Sequence, residues 1–180
     1  MPAVIRMEED SVPDFIHEVK PDFALVSGPE SIDPANFRNY SSAAAYDIPY
    51  GLYSRDGSGS AKSIIESIYA GKSRLVSISE NDSVVSAFRS YLAASGWVSK
   101  PFSDLISYLP TREACLSSVS SGEADIFLGK FRKLENHGLK FTHIGEVHQS
   151  ILLYNETVDM QALERPLQVV KEVIAGLAFS

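Results

Sequence analysis

The segment "SRLVSISENDSVVSAFRSYLAASG", residues 73–96, places a strand pattern, a polar loop and a helix pattern in direct succession. Its first part is a short apolar run bounded by polar residues, which is typical of a buried strand. In its second part the apolar side chains recur at helical spacing, at Val84, Val85, Phe88, Tyr91 and Leu92. Gly96 follows as a stop signal. A strand that leads directly into an amphipathic helix predicts an α/β protein.

The rest of the chain repeats this alternation. "DFALVSGPE", residues 22–30, predicts a short buried strand that stops at a turn, and "TREACLSSVSSGEADIFLGK", residues 111–130, predicts a helix and then a strand. Long β-like regions run from Tyr40 to Ser54 and from Phe141 to Tyr154. We therefore expect an α/β fold with mainly parallel sheets flanked by helices, and a long connection that crosses between two lobes.

Composition excludes several classes of function. The chain has 180 residues, 44% of them hydrophobic and 22% charged, with a net charge of −7. Its 16 lysines and arginines are scattered along the sequence, so no basic surface for nucleic acid is expected. No apolar run approaches the roughly 18 residues of a membrane span, and the start of the chain has no signal-peptide pattern. These features predict a cytoplasmic protein without a membrane partner.

Cysteine and histidine usage predicts neither a metal nor a cofactor. The single cysteine, Cys115, falls at helical spacing with apolar neighbours, which predicts a small buried side chain and excludes an intrachain disulfide. His143 and His148 are five residues apart on a β-like run, so they should point to opposite faces of a strand.

The loop "SENDSVV", residues 79–85, is the most promising place for a ligand. Its polar side chains lie where the predicted helix begins, and free N–H groups there can hold a carboxylate or a phosphate. The same residue types also serve as ordinary helix caps, and Asp82 would repel an anion, so capping alone remains an alternative. The same argument applies to the predicted strands that end at Val26 and at Leu128. In an open sheet the carboxyl ends of such strands can face one crevice. The predicted ligand-binding residues are Ser27, Gly28, Ser79, Asn81, Asp82, Ser83 and Gly129.

A second loop, "LYSRDGSGSAKSII" at residues 52–65, has the outline of a phosphate-binding loop. In the pattern G-x-x-x-x-G-K-[ST] the two glycines would fall on Asp56 and Ala61, so the required glycines are absent. We interpret the segment as a turn with Ser60 as a helix N-cap, with some ligand contact as the alternative.

Charged side chains add little to this assignment. Arg55, Arg74 and Arg89 are candidates to neutralise an anion, while Glu123 and Asp125 are expected to be solvated turn charges.

The order of four segments resembles the type II periplasmic-binding-protein superfamily. These segments are "SVPDFIHEVKPDFALVSGPE", "AAYDIPYGLYSRD", "SRLVSISENDSVVSAFRSYLAASG" and "GEADIFLGK". Within that superfamily the chain looks most like the menaquinone-biosynthesis enzymes of the futalosine route, including the chorismate dehydratase-like family. The resemblance implies two lobes, the first at about 1–52 plus 141–180 and the second at about 53–140. It also implies that an opening strand and helix are missing, so a homodimer is expected to cover the incomplete first lobe.

The expected function is an intracellular binding protein for a small anionic molecule, with no catalytic residue assigned. One alternative is an enzyme of the chorismate dehydratase-like type. A second is an effector-sensing or assembly module that acts through a partner chain.

Overall fold

The computed structural model describes residues 18, 23–27, 39–57, 59–132, 137–154, 164–165 and 167–172. The chain divides into two compact units, one made of residues 1–47 and 148–180 and the other of residues 48–147. The two predicted lobes, at about 1–52 plus 141–180 and about 53–140, stay a prediction. The predicted site residue Gly28 lies outside the described residues.

The first unit contains strand β1, Phe23–Ser27. β1 pairs antiparallel with the second half of a long strand, Lys140–Tyr154, so that Phe23 lies opposite Leu153 and Ser27 opposite Gln149. Val26 and Leu152 are buried against each other in a small core. This long strand is the last one described, and it is called β6 below.

The second unit holds most of the described helices and strands. They are, in chain order, β2 (Tyr40–Ser54, which begins in the first unit), α1 (Ala61–Tyr69), β3 (Leu75–Ser77), α2 (Ser83–Ala94), a short 3-10 helix (Phe102–Asp104), β4 (Ile106–Tyr108), α3 (Arg112–Ser121) and β5 (Ile126–Lys130). The strand order there is β6-β2-β5-β3-β4.

Strand direction in this sheet is mixed. β3 is parallel to both β4 and β5, whereas β2 is antiparallel to β5, with Tyr50 opposite Lys130. The α/β class with helices flanking a sheet is therefore confirmed. The expected parallel pairing holds for β3, β4 and β5, whereas the antiparallel pairings of β2 with β5 and of β1 with β6 depart from it.

Burial explains why the short strands have continuous apolar sequences. All three residues of β3 are buried, and in β5 the four residues from Ile126 to Gly129 are buried. Strands covered on both faces have no solvent side on which to place polar residues. Helix α3 packs against this sheet through Cys115 and Val119, which are fully buried beside Phe127. The predicted burial of Cys115 is confirmed, and burial raises the pKa of its thiol to about 11.

Helix ends follow the predicted signals. The Ser60 hydroxyl accepts a hydrogen bond from the Ser63 N–H at the start of α1, so Ser60 is the N-cap. At the other end, the N–H of Gly71 bonds to Ile68 O and the N–H of Lys72 bonds to Ser67 O. These two bonds and the positive φ of Gly71 form a Schellman motif, which fixes where the chain leaves α1.

Candidate ligand-binding site

Two opposite edges of the second unit's sheet are distinguished by strand direction. Because β3, β4 and β5 are parallel, their carboxyl ends meet at one edge, which we call the carboxyl edge. Helix α2 begins after β3 and helix α3 begins after β4, so both helix starts belong to this edge. The opposite edge, where these strands begin, is called the amino edge.

The loop from Ile78 to Asp82, which we call the α2 loop, lies at the carboxyl edge and carries three of the predicted site residues. Ser79 organises it, because its hydroxyl accepts from the Asn81 N–H at 3.3 Å and its carbonyl accepts from the Asp82 N–H at 3.3 Å. Asp82 is the N-cap of α2, with Oδ1 accepting from the Val84 N–H at 2.8 Å. Ser83 is the first residue of the helix and not its cap, so its hydroxyl is not needed for that bond.

Gly129 lies near the carboxyl end of β5, opposite Gly51 of β2. A Cβ atom at position 129 would lie 2.5 Å from Cζ of Phe127 and 3.0 Å from Nη1 of Arg112. The absence of a side chain there makes room for a buried guanidinium, since Arg112 is only 6% exposed. The Arg112 guanidinium carbon also lies 5.2 Å from the ring centroids of both Tyr53 and Phe127.

Tyr53 holds this arrangement together. Its hydroxyl accepts from Arg112 Nη2 at 3.0 Å and from the Arg132 N–H at 3.2 Å, and donates to Lys130 O at 3.0 Å. Sequence reasoning missed Arg112 and Tyr53. The available signal was an arginine immediately after the helix cap Thr111, because a side chain at that position starts at the carboxyl edge of a parallel sheet.

Ser79, Asn81 and Asp82 lie in one loop, Ser83 begins helix α2 directly after it, and Gly129 lies on the same edge. Ser27 ends β1 in the first unit.

Charge near the α2 loop is largely balanced. Arg89 pairs with Glu80 at 3.4 Å and its guanidinium carbon lies 5.0 Å from the Phe102 ring centroid. Burial and, to a smaller extent, the Glu80 carboxylate raise the pKa of Tyr108. Arg89 is thus already paired, and Arg112 is the cation that lies beside Gly129.

The amino edge contains a polar pocket of about 310 Å³. It is lined by Ser54, Arg55, Asp56, Gly57, Gly59, Ser63, Ile64, Ser67, Lys72, Ser73, Asp125 and Ile126. The segment rejected as a phosphate-binding loop therefore forms much of its wall.

Asp125 corrects an expectation from the sequence. Its side chain is only 32% exposed, and Oδ2 accepts from the backbone N–H and Nε of Arg74 at 2.9 and 3.2 Å. Hydrogen bonding from the Arg74 N–H is the main cause that lowers the Asp125 pKa. Arg55 approaches the other oxygen, Oδ1, at 3.7 Å. A carboxylate that follows a turn and precedes a buried strand can be drawn inward by neighbours that are remote in sequence.

Among the described residues, no group of three or more His, Cys, Asp and Glu side chains is arranged to hold a metal ion. The helices within the described ranges include none that is long and apolar enough to cross a membrane.

At the level of sequence, the chain matches no protein-family model and no curated protein. Its three-dimensional structure is similar to known proteins. The substrate binding domain of a proposed molybdenum ABC transporter from Clostridium difficile gives a TM-score of 0.57 at 17% identity, covering 98% of this chain and 84% of that one. The periplasmic molybdate-binding protein of Azotobacter vinelandii gives 0.58 at 14% identity, covering 91% and 78%. A mutant form of OxyR from Corynebacterium glutamicum gives 0.64 at 10% identity, covering 97% and 55%.

These likenesses define the fold. The chain has a mixed α/β fold, with one sheet flanked by helices, that is similar to the folds of these solved structures. It spans about half the length of the OxyR structure.

Proposed function

We propose that the chain is an intracellular binding protein for a small anionic molecule, a carboxylate or a phosphate, held at the carboxyl edge. The observation that carries the proposal is the shared fold, which extends over 98% of the chain in one substrate binding domain and 91% in a molybdate-binding protein. Molybdate is itself an oxyanion. In open α/β sheets, ligands bind beyond the carboxyl ends of the strands.

The local geometry supports an anion at this edge. The N-termini of α2 and α3 both begin there, and the helix dipole makes each N-terminus partly positive. The Arg112 guanidinium adds a full positive charge beside Gly129. The Asp82 carboxylate opposes an anion, but its Oδ1 is engaged by the Val84 N–H. Ser27 and Gly28 also remain proposed ligand-binding residues.

Two alternatives to a binding protein remain proposals. The likeness to the OxyR regulatory domain favours an effector-sensing module, in which the same ligand would control a partner chain. An enzyme of the chorismate dehydratase-like type rests on the resemblance in segment order alone. The homodimer also stays a proposal, and light scattering at micromolar concentration tests it.

A ligand screen tests the proposed function. Thermal unfolding should be followed with molybdate, phosphate, small carboxylates and chorismate-like compounds. A ligand at a hundredfold excess over its Kd stabilises the folded state by about 2.7 kcal/mol, which is readily measured as a rise in Tm. Turnover of a chorismate-like compound would favour the enzyme alternative. No stabilisation by any of these compounds would count against the proposal.

A pair of serine variants then locates the site. Ser83→Ala should weaken binding of the identified ligand by about 1 kcal/mol for a neutral acceptor and up to about 3 kcal/mol for a charged one. Ser86→Ala is the matched control, because Ser86 is an exposed residue of the same helix. Since Asp82 provides the cap, Ser83→Ala leaves the capping bond intact. Equal affinities of the two variants would show that the ligand does not contact Ser83.

A further inference from the structure

The amino-edge pocket has a chemistry of its own. It lies at the start of β3 and β5 and at the end of the antiparallel β2, and is therefore on the opposite edge from the α2 loop. Its walls are mostly polar, with Ile64 and Ile126 as the two apolar side chains. From its cations and hydroxyl donors we propose that this pocket is a second binding site, for phosphate or a small phosphate ester.

The two cations of the pocket are available to a ligand. Within the described part of the chain, Lys72 Nζ has no carboxylate at salt-bridge distance, and the Schellman motif of α1 fixes the backbone position of Lys72. Arg55 is about half exposed and reaches Asp125 only at 3.7 Å. Asp125 already accepts two shorter bonds from Arg74, so Arg55 can turn to an anion without leaving that carboxylate unpaired.

The hydroxyl groups add neutral donors. Ser54 Oγ accepts from the Gly57 N–H at 3.3 Å, which leaves its own proton for a ligand. Ser67 Oγ and Ser73 Oγ are 2.6 Å apart and share one proton, so the other proton of this pair can point into the pocket. Two cations and two hydroxyl donors suit the acceptor oxygens of a phosphate.

The carboxylates of the pocket do not favour a cation instead. Asp125 is engaged by Arg74, and only Asp56 remains as an exposed carboxylate of the lining. A divalent cation needs more oxygen ligands than one carboxylate supplies. The volume of about 310 Å³ accommodates a phosphate with a small polar body.

Binding of inorganic phosphate and of glycerol 3-phosphate, measured by titration calorimetry at low salt, tests this site. Wild-type protein should bind at least one of them saturably in the millimolar range. Lys72→Met should raise the Kd about tenfold or more, because a charge-assisted hydrogen bond is lost. Arg55→Gln should weaken binding in the same direction.

Lys62→Met is the matched control. Lys62 is exposed in α1, close in sequence to the pocket, but it does not line it. The Lys62→Met substitution should leave the Kd within about twofold of the wild-type value, since general attraction between exposed charges is weak and screened. Tighter binding of the ester than of inorganic phosphate assigns an ester as the ligand, and the reverse assigns free phosphate. Absence of saturable binding, or equal weakening by Lys72→Met and Lys62→Met, overturns the proposal.

Discussion

Two loops of the second unit lead from a strand into a capped helix, and they end up at opposite edges of the same sheet. The loop from Ser54 to Ser60 follows β2, and the loop from Ile78 to Asp82 follows β3. Both are rich in Ser, Asp and Gly or Asn. β2 runs antiparallel to β5 whereas β3 runs parallel to it, so the first loop lies at the amino edge and the second at the carboxyl edge. Strand direction therefore gives two loops of similar composition different neighbours.

Gly129 and Gly59, one glycine at each edge, also differ in how tightly they are packed. At the carboxyl edge, Gly129 is in contact with the buried Phe127 ring and the Arg112 guanidinium. At the amino edge, Gly59 faces an open pocket, and its nearest neighbour is the hydroxyl of the exposed Ser63. Position 129 is thus packed within the core, whereas a side chain at position 59 would meet first a hydroxyl that can rotate.

A pair of glycine substitutions tests this difference and should have the largest effect. Gly129→Ala should destabilise the protein by about 1–3 kcal/mol, because the new methyl group would lie 2.5 Å from a ring that cannot move aside. Gly59→Ala should cost less than about 0.5 kcal/mol, since Ser63 Oγ, 2.6 Å away, can rotate. Urea unfolding at neutral pH measures both. Similar losses in the two variants would contradict the proposed difference in packing.

A pair of cap substitutions tests whether the edges are independent. Asp82→Ala and Ser60→Ala should each cost about 1 kcal/mol, because each removes the acceptor of one N–H in the first turn of its helix. The two caps share no partner, so the double variant should lose the sum within about 0.5 kcal/mol. Urea unfolding of the four proteins measures this, with Ser86→Ala as a neutral control. A clear departure from the sum would show that the edges are energetically coupled.

Local signals in the sequence were sufficient for much of the fold. The limits of β2, the N-cap of α1, the glycine stop after α2 and the burial of Cys115 follow from spacing and from residue types with a strong local preference. The α/β class followed from the alternation of these segments. Each of these features depends on residues that are close together in the chain.

The parts of the site that the sequence did not reveal depend on pairing between distant residues. Lys72 and Asp125 belong to the amino-edge pocket because β3 and β5 are adjacent, and Arg55 reaches them because β2 is antiparallel. The contact between Arg112 and Tyr53 joins residues 59 positions apart. No periodicity in the sequence encodes strand direction, so the α2 loop and the β2 loop could not be assigned to different edges in advance.

The smallest effect is expected from Asp125, and it depends on pH. The folded state lowers the Asp125 pKa below its ordinary value of 3.8, first through the Arg74 backbone N–H. A lowered pKa stabilises the folded state above pH 3.8, and this stabilisation is lost as the pH falls through the folded-state pKa.

The difference in unfolding free energy between wild type and Asp125→Asn should therefore be constant from about pH 7 to pH 5 and shrink below 3.8. It should be smaller than the loss of a cap, because the Asp125 side chain is 32% exposed and solvent screens its ion pairs. In an Arg74→Ala background the same comparison should keep part of its pH dependence, since the substitution preserves the backbone N–H. Urea unfolding at a series of pH values measures these differences. If Arg74→Ala removed the pH dependence, the side-chain ion pair and not the backbone bond would be its cause.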